Sequence, residues 1–466
     1  MKAINRVLQN LMFFPACRDA RLVRPRNKLK ISHNLSDARA VRPYNSRFCN
    51  TLKATAAVVV LIWLAVSAVL VVRASGMHPV SDSAYYLGLA RDCVAAGLPY
   101  PLVSHVAAEP YIANPGYINL LAAALCLPGG AVAALWLNVV LNCALLGVLF
   151  CLVRRLCGAT VAVVFVILFC VLPSNSFIVE SYMSDLPCAL AAYGALLAAT
   201  WPGARHAVLA AVLLTVANYI RPVAMTFAAA LVLCMLLGRT DRRRWVAFGV
   251  ALVASTAALW MLNGALTGTR YCFSTTGGVN AIQGACDSAN GGYNADVFAY
   301  GQEGYIPDDA RLDVFQKDSV WRSRAIDWAA EHPGRFLSFI PRKLYVQMFN
   351  DSFHHSLLRE TSEGILTPEG RMAPAYRREV VAESVPYYLV LMLAACGVVM
   401  LLRARRRRLV AVALALVAMN LCMAALTVGA PRYHYPVMPV FLMLAAVAVA
   451  RLTTPALPEG GRGTCL

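Results

Sequence analysis

Acidic residues are scarce in this chain: 24 Asp and Glu stand against 42 Lys and Arg, and charged residues of either sign make up only 14% of 466 positions. Polar alternation of the kind that marks half-buried strands is also missing from its apolar runs, which argues against a β-barrel. No Cys/His spacing matches a zinc site, although there are 15 cysteines. The first fifty residues lack a cleavable signal, because Leu11–Ala16 is too short an apolar core and Arg and Pro follow it.

What is present is apolar. Hydrophobic residues reach 59% and the mean hydropathy is +0.60, more apolar surface than a soluble chain of this length could hide from water. The surplus comes in blocks near the length a helix needs to cross hydrocarbon: Thr55–Val72, Ala131–Val153, Val246–Leu262, Pro386–Leu402, Leu409–Val428 and Val437–Ala450. The chain reads as an all-α, polytopic membrane protein. Cysteines such as Cys143, Cys170, Cys234 and Cys422 fall inside apolar runs and act as small hydrophobes.

The formal charge of +18 is explained by topology. Arg154–Arg155, Arg242–Arg244 and Arg405–Arg408 form short cytoplasmic-type clusters, and a basic tail with Arg18, Arg21, Arg24, Arg26, Lys28 and Lys30 precedes the first span. Nucleic acid is not the expected partner; membrane lipid is.

The expected organisation starts with a cytoplasmic, disordered tail over 1–53. A transmembrane catalytic module over 54–264 includes a first outer loop at 74–115. A mostly helical extracytoplasmic region follows at 265–384, then three spans within 385–451 and a tail at 452–466. The crossings are 54–73, 131–153, 157–173, 186–200, 206–219, 222–238, 246–264, 385–402, 409–428 and 436–451. That makes about ten helices, or about eleven if the eleven-residue run 117–127, short for a crossing, is counted. The ten-span reading puts every strong basic cluster inside. It puts Asp82, Glu109, Glu180, Asp185, Arg221, Arg432 and His434 together on the outside.

Asp82 and Asp185 each stand beside a serine at a helix start, so each is either a helix cap or one of two carboxylates available for acid–base work at a sugar carbon. Arg221, in Asn218-Tyr219-Ile220-Arg221-Pro222, lies between two apolar runs with almost no loop, where an arginine costs about 2.5–3.5 kcal/mol on insertion scales. It either snorkels or grips an anion, as does Arg432 in Pro431-Arg432-Tyr433-His434-Tyr435-Pro436. An aromatic belt would account for Tyr433 and Tyr435. Glycines in Ser274–Asn280 and Gly291-Gly292-Tyr293 suit turns, or a tight backbone facing a polar ligand. Cys272 and Cys286 share the outer region, where a disulfide is open. Phe336–Phe349 has the spacing of a surface-lying amphipathic helix.

Taken in order, these pieces resemble the GT-C membrane glycosyltransferases, in particular bacterial relatives of protein O-mannosyltransferases and of the lipid A aminoarabinose transferase. The resemblance is carried by Asp82 with Tyr85, Tyr86 and Ala90, by Asn114-Pro115-Gly116-Tyr117, Asp185 near Pro187, and Arg221-Pro222. It continues through Trp260–Gly264, Thr276–Asn280, His332-Pro333 with Phe336, and Arg432–Pro436 with Pro439. No single motif is specific; their order is. The resemblance implies a polyprenyl-phosphate-linked sugar donor, a protein, lipid or glycan acceptor, and a periplasmic active face on a bacterial inner membrane. Asp82 would be the general base, Asp185 would orient acceptor or sugar, and Arg221 with Arg432 would hold the donor phosphate. Glu109, His105, Tyr85 and His434 are accessory candidates, and a divalent metal stays open as a cofactor with no ligand set to name. Many aminoarabinose-type members carry an acidic–basic pair before Pro-Pro where this chain has Ala113-Asn114-Pro115-Gly116, so donor or acceptor can differ. Alternatives are a lipid-linked oligosaccharide polymerase or ligase and, from another class, a transporter or flippase, which would want acids in mid-helix.

Overall fold

A computed structural model describes residues 35–238, 240–268, 274–307, 310–353 and 374–453. Regular structure among them is helical throughout. The chain divides into Met1–Cys49 and Asn50–Leu466. In the first unit only residues from 35 onward are described. They begin the Leu35–Ser75 helix, so 35–53, expected to be disordered, is helical. Extending a helix already nucleated by the first span costs far less than starting one. Residues 1–34 and 454–466, and with them most of both expected tails, lie outside the described residues.

Six helices among the described residues are long and apolar enough to cross a membrane: Asn50–Ser75, Ala131–Cys157, Arg242–Thr267, Arg377–Arg403, Arg407–Leu426 and Pro431–Thr453. A seventh is added if Ala159–Val171 and Ser174–Glu180, bent by 70° around Leu172-Pro173, are one span. Shorter apolar helices are Pro115–Leu125, Asp185–Ala199, Ala204–Ile220 and Pro222–Leu237. At about 1.5 Å per residue the three that were expected to cross reach roughly 20–25 Å, less than the full hydrocarbon thickness.

Asp185–Ala199 is buried on nearly every side and packs against Ala131–Cys157 and Ala204–Ile220. Its alanines permit that: small side chains let backbones approach closely. Arg155 donates to the Thr200 carbonyl (2.7 Å), and Arg244 donates to those of Ala199 (3.0 Å) and Trp201 (2.9 Å). These guanidinium groups satisfy carbonyls left open at the helix C-terminus. The basic clusters at 154–155 and 242–244 therefore gather at the end of this helix opposite Asp185.

The segment 274–348 has a small core of its own, with Val279, Ile282, Cys286, Val297, Trp321 and Trp328. Its helices are Thr276–Gly284, Val314–Glu331 and Pro333–Met348. Asp313 caps the second of these, accepting from the amides of Phe315 (2.9 Å) and Gln316 (2.8 Å). The glycines at 277–278, open in sequence to a turn or a ligand-facing backbone, lie against the Val314–Glu331 helix. A Cβ on Gly278 would stand 2.3 Å from the Asp318 carbonyl oxygen, and the Gly278 amide donates to the Asp318 carboxylate (2.5 Å). The glycines there admit a neighbouring helix. Cys272 lies outside the described residues; Cys286 is buried.

Candidate active site

Two acids and two arginines meet around one tyrosine ring. Asp185 stands at the first position of its helix, and Arg221 ends the Ala204–Ile220 helix that packs alongside. They form a direct ion pair in which the Asp185 side chain is fully buried. The second Asp185 oxygen, Oδ2, is buried without a hydrogen-bond partner. Asp82, in the first turn of the Ser81–Ala96 helix, pairs with Arg432 at 2.5 Å. Both guanidinium groups lie 5.3 Å from the centre of the Tyr433 ring, and Arg432 lies 5.3 Å from that of Phe353 as well. Cation–π attraction of this sort is worth about 0.5–2 kcal/mol per contact.

Neither Ser81–Ala96 nor Asp185–Ala199 has a side-chain hydrogen bond at its N-cap, so neither acid, nor its serine neighbour, caps a helix. Arg221 is buried beside Asp185 and does not snorkel. Tyr433 is a platform for two guanidinium groups, which an aromatic belt does not explain.

The Asn114-Pro115-Gly116 motif frames the site from one side. Asn114 donates to the hydroxyls of Tyr86 (3.3 Å) and Ser184 (3.1 Å), tying the Asp82 helix to the residue before Asp185. Pro115 takes a first-turn position in its helix, where its missing amide costs nothing. A Cβ on Gly116 would stand 2.9 Å from the Ile220 backbone nitrogen, so glycine lets this helix reach the turn that carries Arg221. The Tyr86 ring packs edge-on against Tyr117, and burial, reinforced by the nearby Asp82 charge, pushes the Tyr86 hydroxyl well above its ordinary pKa.

From the other side the Pro431–Val437 turn is held by buried hydrogen bonds. His434 Nδ1 faces the Gln347 carbonyl at 2.7 Å and Nε2 faces Asp351 at 3.0 Å, and the imidazole stacks on Tyr387 with ring centres 5.0 Å apart. Asn420 donates to the Tyr433 carbonyl (2.9 Å) and Tyr193 donates to that of Pro436 (2.7 Å). His434 is thus tied to the end of the Pro333–Met348 helix.

The remaining candidates make hydrogen bonds of their own. Tyr85 donates to Glu109 at 2.8 Å and packs edge-on against Tyr111. Burial raises the Tyr85 pKa and the Glu109 charge adds to it, so this hydroxyl stays protonated. His105 is buried in its own local set, accepting from the Leu102 amide at Nδ1 (3.4 Å) and facing Asp92 at 3.5 Å. Among the described residues no group of three or more His, Cys, Asp or Glu side chains is placed to hold a metal ion. Sequence reasoning missed Asp351, Phe353, Gln347 and Asn420. The first two follow an amphipathic helix in polar sequence that looks like ordinary loop.

No protein-family model and no curated protein sequence matches this chain. Solved structures similar to it include an oligosaccharyltransferase of Archaeoglobus fulgidus tethered to an acceptor peptide, at 13% identity and TM-score 0.44, over 84% of this chain. The chain spans about half, 49%, of that protein's length. Two others are ArnT from Cupriavidus metallidurans, apo (TM-score 0.36) and bound to undecaprenyl phosphate (TM-score 0.40). Each is 15% identical over 84% of this chain and 76% of its own.

Proposed function

We propose that the protein transfers a sugar from a polyprenyl phosphate to an acceptor hydroxyl on protein, lipid or glycan. The observation that carries this reading is the meeting of two carboxylate–guanidinium pairs on the Tyr433 ring, at the ends of apolar helices. Such a place suits a substrate with a charged head and an apolar tail. Arg432 and Arg221 supply the positive charge that a lipid phosphate needs as it departs. Burial of the isoprenoid tail among apolar helices supplies affinity.

In this scheme Asp82 takes the proton of the acceptor hydroxyl, and the oxygen attacks the anomeric carbon in line. The bond from that carbon to the phosphate oxygen breaks with its electron pair on the phosphate, and the released polyprenyl phosphate is met by the guanidinium groups. Asp185 is too deeply buried to touch a substrate through its paired oxygen. We assign it to positioning Arg221. Glu109 with Tyr85 lies beyond the same helix turn and would border the acceptor.

The six long helices, the bent pair and the short helices Asp185–Ala199, Ala204–Ile220 and Pro222–Leu237 then make about ten crossings, with Pro115–Leu125 not crossing. The positive-inside rule would put the gathered Arg155 and Arg244 in the cytoplasm and the two ion pairs on the periplasmic side of a bacterial inner membrane.

The test is direct. Purified protein in lipid is supplied with a panel of radiolabelled polyprenyl-phosphate sugars and acceptors, and release of polyprenyl phosphate is followed. Turnover of one donor is expected; inertness toward all, with polyprenyl-diphosphate donors turned over instead, would replace this reading with the oligosaccharide polymerase or ligase.

A further inference from the structure

Asp82 is held in this structure by the same guanidinium group that the donor phosphate would need. The two ion pairs differ in a way that bears on this. Asp185 and Arg221 have side-chain exposures of 0% and 10%, whereas Asp82 and Arg432 have 30% and 13%. Separating the first pair would strand a carboxylate with no water to receive it, and a buried charge stripped of its partner is strongly unfavourable. Separating the second leaves Asp82 at a solvent-reachable helix start, where water can replace the lost partner. Arg432 meanwhile keeps its contacts with Tyr433 and Phe353, so its planar group stays in place when the carboxylate leaves.

We propose that the Asp82–Arg432 pair is an exchangeable latch, opened when a lipid phosphate takes Arg432, while Asp185–Arg221 is a permanent tether. This rests on the glycosyltransferase reading and adds an order of events to it. Without a donor, Asp82 is occupied and the acceptor hydroxyl meets no free base. A bound phosphate takes Arg432 through paired N–H···O bonds and turns Asp82 toward the acceptor. The base is therefore released only while a lipid phosphate occupies Arg432, which keeps Asp82 closed when the donor site is empty. The product polyprenyl phosphate carries more charge than the donor diester and holds the latch open until it departs.

The experiment uses the full chain in nanodiscs, undecaprenyl phosphate as probe, and the uncharged polyprenol as control. Binding is followed by calorimetry, and carboxylate bands by infrared difference spectroscopy. For wild type, the phosphate should shift a carboxylate band that is missing from Asp82→Asn, and polyprenol should not. Asp82→Asn should bind the phosphate roughly two- to fivefold more tightly, the range of a partly exposed ion pair, because its competitor for Arg432 is gone. Charge removal elsewhere is controlled by Asp327→Asn, an exposed carboxylate on the Val314–Glu331 helix; its affinity should stay within about twofold. Wild-type binding with no Asp82 band, or unchanged or weaker affinity in Asp82→Asn, overturns the latch and leaves the glycosyltransferase reading in place. Failure of wild type to bind the lipid phosphate at all overturns both.

Discussion

Asp185–Arg221 and Asp82–Arg432 are built from the same two functional groups and face the same tyrosine ring, yet their surroundings give them different work. The first is enclosed by Asp185–Ala199 and its neighbours, a helix so rich in alanine that backbones close around the pair. The second lies where the Ser81–Ala96 helix meets the Pro431–Val437 turn, and the Asp82 side chain keeps 30% of its surface exposed. Burial decides whether an ion pair is a fixture or a switch, because the cost of separating charges depends on whether water can replace the lost partner.

The sharpest way to break this comparison is to remove one partner from each pair. Asp185→Asn should destabilise the protein by about 3–5 kcal/mol, because Arg221 is left buried and uncompensated. Replacing both, Asp185→Leu with Arg221→Met, should recover most of that loss in thermal unfolding while abolishing turnover. Arg432→Gln should cost less, about 1–3 kcal/mol, because Asp82 stays solvent-reachable and the loss is mainly two cation–π contacts. Equal losses in the two single variants would show that the pairs are not different in kind.

Gly116→Ala probes the frame around the buried pair. The added methyl would press on Tyr219 and the Ile220 backbone, and overpacking of this kind costs about 1–3 kcal/mol. Turnover should fall with stability, since the displaced turn carries Arg221. A third buried cation extends the comparison. Lys343 is fully buried, donates to the Ala425 carbonyl (3.2 Å), and has no carboxylate partner among the described residues. Burial lowers its pKa to about 8 from 10.5. Between those values the unfolded chain binds more protons than the folded one, so stability should rise as pH climbs through that window. Unfolding of Lys343→Met should lack this rise. A graded effect is expected at the shared ring. Tyr433→Leu removes two cation–π contacts of about 0.5–2 kcal/mol each and should weaken binding of polyprenyl phosphate, whereas Tyr433→Phe should behave almost as wild type.

Much of this arrangement could be read before the structure, because some residues sit where chemistry has to be explained. Apolar runs of membrane length announced the long helices. Arg221 stood out because almost no loop separates its two apolar neighbours, and Arg432 because it occupies the end of a span away from the basic clusters. The pairings were not legible: Asp185 and Arg221 are 36 residues apart, and Asp82 and Arg432 lie in opposite halves of the chain, so no local periodicity links them. Asp82 and Asp185 looked equivalent because both follow a serine at a helix start; burial separates them. The glycines at 277–278 left a turn and a ligand-facing backbone both open, because sequence cannot identify the Asp318 helix as the closely approaching neighbour. Asp351 gave no signal, since its partner His434 comes from a helix turn more than eighty residues later.

The central claim is that Asp82 is the base for sugar transfer, and single-turnover release of polyprenyl phosphate by Asp82→Asn tests it most directly. The substitution keeps size and hydrogen bonding and removes the proton acceptor. A rate lower by about 10²–10⁴ with lipid-phosphate binding retained or tightened is the predicted result. Turnover close to wild type would contradict the account and leave the Asp82–Arg432 pair as structure alone.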